Sequence, residues 1–306
     1  MASALSAKHF HSEDAAFAYV EARVWPEGPV CPHCGGVERI SKMQGKSTRK
    51  GLYKCYQCRK PFTVRMGTVF EASHVPLHIW LQAMYLIAGS KKGISSNQLH
   101  RTLGVTLKTA WFMSHRIREA MRSGDLAPMG GDGGVVEVDE TFIGRKQGMK
   151  KTHAAWHKVP VLSLVHRESG QSRSFVVEKA TREYIMPIVM KNVDRETYIM
   201  TDESRIYTGA HFSFLGHGTV NHHSGEYGRG RIHTNTVEGF YSIFKRGMRG
   251  VYQWCAEKHL HRYVAEFDFR YNNRAALGCN DADRANNLLQ GIVGKRLTYQ
   301  TACARV

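Results

Sequence analysis

The sequence has no run of about eighteen apolar residues, the length that a membrane-spanning helix needs. Its most apolar window, residues 79–89, is interrupted by Gln82. No sustained apolar segment follows a basic N-terminal start, so no secretory signal is predicted. We therefore expect a cytoplasmic protein without membrane attachment.

Acidic residues are scarce relative to basic ones. The 306 residues include 43 Lys and Arg against 26 Asp and Glu, which gives a formal net charge of +17 at pH 7. A surplus of this size favours a polyanionic partner. The hydrophobic content of 42% is sufficient for packed interiors, so the chain is expected to be globular.

The seven cysteines do not form the pattern of a disulfide framework, because Cys255, Cys279 and Cys303 are isolated. The other four form two C-x-x-C pairs with twenty residues between them: Cys31, Cys34, Cys55 and Cys58. This spacing is typical of a zinc ribbon, in which four thiolates complete the tetrahedron around a structural Zn²⁺ and leave no position for water. A redox pair is the alternative.

Changes in residue pattern along the chain predict six segments. The second half alternates strand and helix patterns, which predicts an α/β domain. The segments are an N-terminal helix (1–25), the zinc ribbon (26–72), a helix-turn-helix-like DNA-binding segment (73–123), a glycine-rich linker (124–134), a catalytic α/β domain (135–277) and a C-terminal tail (278–306).

Basic residues are concentrated in the ribbon, where Glu38 is the only acid between Cys31 and Phe62. This surplus favours contact with DNA phosphates, and a solvated surface or a protein-docking ribbon is the alternative. The basic residues are Arg39, Lys42, Lys46, Arg49, Lys50, Lys54, Arg59 and Lys60.

The three helices predicted after Pro76 suggest a helix-turn-helix with its tight turn at residues 104–106. The basic context favours DNA contact through this segment, whereas a plain helical core is the alternative. The candidate contact residues are Arg101, Lys108, His115, Arg116 and Arg118.

Two aspartates follow strand patterns: Asp139 ends VVEVD and Asp202 ends TYIMTD, so we expect both at the rim of a sheet. Glu238 lies in a predicted helix, residues 234–248, with Lys245 and Arg249 seven and eleven residues further on, on one stripe. This pattern predicts that Glu238 completes a metal site while the two cations hold phosphates. An ordinary surface charge pattern is the alternative.

The segment 211–233 contains five histidines and many glycines. Their spacing matches no metal-ligand pattern, so we predict a hydrogen-bonded or DNA-facing loop.

Taken with the ribbon and the helical segment, three sequence blocks resemble a known family. They are VEVDETFIG, TDES and HTNTVEGFYSIFKRGMRGVYQW…KHLHRYVAEFDFRYNNR. The chain resembles the bacterial insertion-sequence transposases that have an N-terminal zinc ribbon and a ribonuclease H-like catalytic domain with an acidic (DDE-type) triad. The likeness extends from Cys31 to about Tyr299.

The resemblance implies a catalytic set of Asp139, Asp202 and Glu238, followed by Lys245. Related proteins have either an acid or Asn at the third position, and Asn235 lies one turn before Glu238. The three acids are expected to bind Mg²⁺ or Mn²⁺, since hard oxygen ligands suit these ions. DNA contacts are expected from Lys108, Arg116, Lys245, Arg246 and Arg249.

The implied function is transposition: cleavage of the insertion-element ends and joining of the 3′-hydroxyl to target DNA by two-metal-ion chemistry. The expected partners are double-stranded DNA, in the form of terminal inverted repeats and target, and further copies of the chain. The expected localisation is the bacterial cytoplasm in association with the nucleoid. A zinc-ribbon DNA-binding regulator and a metal-dependent nuclease that does not join strands are the alternatives.

Overall fold

A computed structural model describes residues 3–124, 126–152 and 155–298, so Cys303 and Tyr299 lie outside the described residues. The chain forms two compact units, one of residues 1–122 together with 280–306 and the other of residues 123–279. The α-helices of the described residues are α1 (Glu13–Val24), α2 (Leu77–Gly89), α3 (Ser96–Leu103), α4 (Leu107–Met121), α5 (Arg182–Asn192), α6 (Asn235–Gly247), α7 (Leu260–Asn272) and α8 (Asp281–Gln290). The strands are β1 (Ile40–Lys42), β2 (Tyr53–Cys55), β3 (Pro61–Phe62), β4 (Val135–Ile143), β5 (Val159–His166), β6 (Ser172–Val176), β7 (Tyr198–Asp202) and β8 (Gly216–Val220).

The first unit contains a three-stranded antiparallel sheet in the order β1-β2-β3. Cys31, Cys55 and Phe62 are buried at its centre, and Trp25 and Tyr53 pack against them. So small a core cannot fold alone, because ribbons of this size depend on a bound metal for stability.

Capping residues mark the ends of helices α1, α3 and α4 in the first unit. The Ser12 hydroxyl caps α1 by accepting a hydrogen bond from the Ala15 N–H. Gly104 ends α3 in the left-handed conformation, with φ 66°, which allows the tight turn into α4. Thr106 then caps α4.

The predicted C-terminal tail contains a helix, so that prediction is corrected for Asp281–Gln290. Asn280 starts α8 with a capping box, and the Asn286 carboxamide oxygen accepts hydrogen bonds from Tyr19 and Arg23 of α1. Helix α8 thus belongs to the first unit. The helix was not predicted because its residues are mostly polar and the prediction depended on apolar periodicity.

The second unit contains a mixed five-stranded sheet in the order β6-β5-β4-β7-β8. The central strand β4 pairs antiparallel with β5 and parallel with β7, and β8 continues the parallel half. Helices flank both faces. The predicted class, a ribonuclease H-like mixed α/β sheet preceded by a zinc ribbon and helices, is confirmed at this level.

The alternation of β4 divides its side chains between the two faces of the sheet. Val136 and Val138 pack against α5, whereas Ile143 faces the cluster formed by α6 and α7. Glu137 and Asp139 therefore share the α6 face. Each large apolar side chain buried in these clusters contributes about 1.5–3 kcal/mol, so the packing fixes α6 against β4.

Two details of the sequence interpretation are wrong. Strand β8 lies inside the segment 211–233, which was predicted as a loop. The strand was not predicted because its sequence, GHGTV, lacks the apolar alternation of a half-buried strand. Asp139 is the fifth of nine residues in β4 rather than its last. Among the described residues, no helix is long and apolar enough to span a membrane.

Candidate active site and zinc cluster

The four cysteines predicted as zinc ligands lie together in the first unit. Their Sγ atoms are all within 4.8 Å of one another, with Cys31 to Cys58 at 3.7 Å and Cys34 to Cys55 at 3.8 Å. Sulfur atoms bound at 2.3 Å in a tetrahedron lie about 3.8 Å apart, so the cluster fits zinc. All four positions are taken by thiolates, which makes the site structural.

Seven of the eight basic residues of the ribbon are exposed, and Lys54 is half-buried. Lys42 pairs with Glu21 and Lys50 pairs with Asp14. The remaining six form no ion pair with a carboxylate in the part of the chain that the structure describes. The ribbon therefore presents a basic surface whose charges are available to an anion.

The predicted helix-turn-helix contacts divide into exposed and buried groups. Arg101 and Lys108 are exposed, whereas His115, Arg116 and Arg118 are buried. Arg116 donates hydrogen bonds to the backbone carbonyls of Val69, Glu71 and Leu297, which lie in two other segments. Its prediction as a DNA contact is therefore wrong, because the guanidinium holds the fold together from inside.

In the second unit, strand alternation and register bring the two predicted aspartates to the same place. The parallel pairing of β4 with β7 ends at Glu137 opposite Met200, and two further residues along each strand bring Asp139 level with Asp202. Both residues then point to the α6 face. Asp202 ends β7, as the sequence predicts.

The pKa of the Asp139 carboxyl is shifted by burial and by neighbouring charges. This pKa is raised to about 7, mainly by burial and then by the charges of Asp202 and Glu238, against a hydrogen bond from the Glu140 N–H and the charge of Lys245. Burial also raises the pKa of Asp202, against a hydrogen bond from the Ser204 N–H. All four predicted catalytic side chains thus act on one locus, which a divalent cation would neutralise.

Glu238 lies in the first turn of α6 with its side chain 44% exposed. Its Oε1 accepts a hydrogen bond from the Thr234 hydroxyl at 2.9 Å and lies 3.3 Å from His222 Nε2. His222 also affects the pKa of Asp202. Asn235, the first residue of α6, is exposed. His222 therefore belongs to the acidic site, although the sequence interpretation placed it in a DNA-facing loop.

The acidic site is more open than the zinc cluster. Of the described residues, the four cysteines alone form a group of three or more His, Cys, Asp or Glu whose ligand atoms all lie within 4.8 Å. The oxygens of Asp139, Asp202 and Glu238 are thus spread too widely for one tight cage.

A buried carboxylate, Glu137, ties α6 to β4. It accepts hydrogen bonds from the backbone N–H groups of Thr236 and Val237 at 2.8 and 2.9 Å, and from Arg167 Nε at 2.5 Å. Arg167 in turn donates to the carbonyl of His233. A negative charge at a helix N-terminus is favourable, so this network fixes where α6 begins.

Two tyrosines hold β4 from opposite faces. The Tyr241 hydroxyl of α6 donates to the carbonyl of Asp139 at 2.5 Å. On the other face, the Tyr207 hydroxyl donates to Glu140, whose pKa burial raises to about 8. Glu140 therefore points away from Asp139. The sequence interpretation did not predict that Glu137, Tyr207 and Tyr241 hold the strand and helix that carry the acids. For Glu137 a signal was present, since an acid between two valines at an inward-facing strand position is unusual.

The predicted phosphate contacts lie along α6 and just beyond it. Lys245 is half-buried with its Nζ 5.7 Å from the Tyr241 ring centroid, whereas Arg246 is exposed and bonds back to Ser242. Arg249 lies in a π-helical turn, Met248–Tyr252. The 3.6-residue period ends at Gly247, so the predicted stripe through Glu238 and Lys245 does not extend to Arg249.

Comparison with known proteins places these features in a family. Residues 11–61 match the model of a transposase zinc-ribbon domain, and residues 132–272 match the model of an ISXO2-like transposase domain. Together the two matches cover more than half of the chain. The chain belongs to this family of insertion-element transposases.

Two individual proteins are similar to the chain. An uncharacterised protein in transposable element ISH50 of Halobacterium salinarum is 28% identical over 283 residues, covering 86% of this chain and 92% of the relative. A chain of the cryo-electron microscopy structure of a simian T-cell lymphotropic virus intasome, in complex with PP2A regulatory subunit B56 gamma, is 13% identical with a TM-score of 0.28. That match spans 56% of this chain and 63% of the other.

Proposed function

We propose that the chain is a DNA transposase that cleaves the ends of its insertion element and joins the freed 3′-hydroxyl to target DNA. The observation that carries the proposal is that Asp139 and Asp202 come level on neighbouring strands of the sheet, where the charges of Asp202 and Glu238 raise the pKa of Asp139. Family membership supports the same reading.

The side chains present suit divalent cations. Asp139, Asp202 and Glu238 offer hard carboxylate oxygens, and mutually repelling carboxylates gain most from a shared cation. Mg²⁺ or Mn²⁺ held there would activate the attacking hydroxyl and stabilise the leaving oxygen.

The remaining residues bind and orient the substrate and the acids. Glu137 fixes the start of α6 and so sets the distance of Glu238 from β4. Tyr241 holds the backbone of Asp139. Lys245 and the ribbon cations attract DNA phosphates, which also favours rapid encounter with DNA. Copies of the chain are expected to assemble on the two element ends.

The test uses labelled DNA that carries the inverted repeats flanking the gene, incubated with the protein and Mg²⁺ or Mn²⁺. End cleavage followed by joined products is expected, with loss of both in Asp139→Asn and Asp202→Asn. Full activity in either variant would refute the metal assignment.

Two further outcomes of this assay separate the alternatives. Binding without cleavage by the unaltered chain would favour the zinc-ribbon regulator, and cleavage without joining would favour the nuclease. Asp132→Asn is the matched control, because it removes an exposed carboxylate of the same unit that precedes β4, seven residues before Asp139.

A further inference from the structure

A cavity separate from the acidic site lies in the second unit, between the end of β4 and the segment that follows α6. It has a volume of about 310 Å³, at the small end of the range of ~300–1,000 Å³ for ligand pockets. Its lining includes Arg145, Lys158, Arg249 and Trp254. No residue of the acidic site lines it.

The cavity has a basic rim. Arg145 and Arg249 are exposed and Lys158 is half-buried, and none of the three forms an ion pair with a carboxylate among the residues that the structure describes. The acid of the lining, Glu257, already accepts a hydrogen bond from the Gln147 N–H. The three cations are therefore available to an anionic ligand.

Trp254 presents an aromatic face beside these cations. Its side chain is 73% exposed, an unfavourable arrangement for so large an apolar group unless a partner covers it. The preceding residue, Gln253, has φ 59° and ψ −48°, outside the regions that non-glycine residues favour, and a π-helical turn comes directly before it. Such strain and such turns recur at ligand-binding sites.

The cavity lies at a defined distance from the acids. Ile143 of the lining is four residues beyond Asp139 on β4, about 14 Å at the ~3.4 Å rise of a strand. Within helix α6, Gly247 lies nine residues beyond Glu238, about 14 Å along the helix axis, and Arg249 follows two residues later. This span corresponds to about four nucleotides of a B-DNA strand.

We propose that the cavity holds one unpaired nucleotide of the DNA strand near the bond to be cut, with its base stacked on Trp254 and its flanking phosphates on Arg145, Lys158 and Arg249. The proposal rests on the proposed function, because it assumes that DNA occupies the acidic site. A base within a duplex cannot offer its face to a side chain, so the bound nucleotide has to leave its stack.

The experiment measures the affinity of the full zinc-loaded chain, without added Mg²⁺, for two fluorescein-labelled probes. One is a twelve-nucleotide oligothymidine, and the other is an abasic oligomer of the same length that keeps the phosphates and lacks the bases. Trp254→Ala is expected to weaken binding of the oligothymidine roughly 5- to 100-fold, as the loss of one stacked base does, and to leave the abasic probe within about twofold.

Three further variants sharpen the comparison. Trp254→Phe keeps a stacking face and is expected to retain most of the affinity, whereas Trp254→Leu keeps apolar bulk without that face and is expected to behave as Trp254→Ala. Phe212→Ala removes an aromatic side chain that is 86% exposed and lies outside the cavity, so it is expected to change neither affinity. Arg249→Ala is expected to weaken both probes equally.

Equal losses on the two probes for the Trp254 variants, or no loss on either, would overturn the assignment. If the unaltered chain fails to cleave its element ends while Trp254→Ala selectively loses the oligothymidine, the proposed catalytic function fails and the pocket assignment stands. If the chain cleaves and the Trp254 variants bind both probes normally, the pocket assignment alone fails.

Discussion

Asp139 and Glu140 are adjacent in sequence, yet they point to opposite faces of the sheet, and only Asp139 faces Asp202 and α6. Strand alternation thus resolves a choice that acid spacing alone left open. The catalytic roles assigned to Asp139, Asp202 and Glu238 stay predictions. The contacts of His222 and Glu137 could not be predicted, because they depend on side chains that the chain brings together over long separations.

The third position of the acidic set is testable at single residues. Glu238→Gln is expected to reduce end cleavage more than about 100-fold, because a carboxylate that binds the metal is lost. The loss of a residue that only hydrogen-bonds to a metal ligand costs about 10- to 100-fold. Asn235→Ala is expected to cost less than about 10-fold. Mn²⁺ affinity, measured by calorimetry, should fall with the first variant only.

The control for this pair is Glu183→Gln, an acid in the first turn of α5. The opposite pattern, with Asn235→Ala inactive and Glu238→Gln active, would assign the third ligand to Asn235.

At the scale of elements, helices with a clear apolar stripe were predictable and weakly patterned elements were not. Helices α1 to α7 and strands β4 to β7 follow period or alternation. Strand β8 is rich in glycine and histidine, and α8 packs through polar side chains, so neither has the pattern on which the prediction depends.

The anchoring of α6 on β4 can be tested through Glu137. Glu137→Gln is expected to lower the free energy of unfolding by about 3 kcal/mol, because Arg167 loses its buried partner. The double variant Glu137→Gln, Arg167→Met is expected to recover stability in urea unfolding without recovering cleavage, since the charged cap of α6 stays absent. Recovery of both would show that Glu137 has no positioning role.

The stability that the contact between β6 and α7 contributes to the fold is expected to depend on pH. Asp268 accepts hydrogen bonds from the Ser172 and Ser174 hydroxyls, yet burial raises its pKa from 3.8 to about 6. The folded state therefore binds this proton more tightly than the unfolded chain, and the associated stability, full below pH 3.8, is lost as the pH rises through 6.

Asp268→Asn is accordingly expected to be more stable than the unaltered chain at pH 7, by about 3 kcal/mol, the free-energy equivalent of a pKa raised by about two units. The difference should shrink towards pH 4.5, as measured by urea unfolding across that range. Asp132→Asn serves as the exposed control. A difference that stays constant with pH would contradict the role of Asp268.

For the whole molecule, the charge surplus predicted a polyanionic partner, which agrees with membership of a transposase family, whereas the division into units was not predictable. The first unit combines residues 1–122 with 280–306, a pairing of distant segments that no local pattern encodes. The other predicted boundaries, at residues 25, 72, 123 and 134, stay predictions.

Removal of zinc should affect the stability of the ribbon in the first unit and leave that of the second unit unchanged. Chelation of zinc, or Cys31→Ser, is expected to make residues 26–72 sensitive to protease, because the ribbon core is too small without its ion. Residues 135–277 should keep their resistance. Readdition of Zn²⁺, and not of Mg²⁺, should restore protection, with Cys279→Ser as the matched control. Uniform cleavage of the whole chain would contradict this independence.

Strand β4 sets the spacing of three features of the second unit. Glu137, which binds the start of α6, Asp139, and Ile143 at the edge of the cavity lie on its nine residues, separated by fixed multiples of the strand rise. One residue added within it would turn every later side chain to the wrong face. Residues added after Gly148, outside any helix or strand, leave those spacings unchanged, so a label or tag is best inserted there.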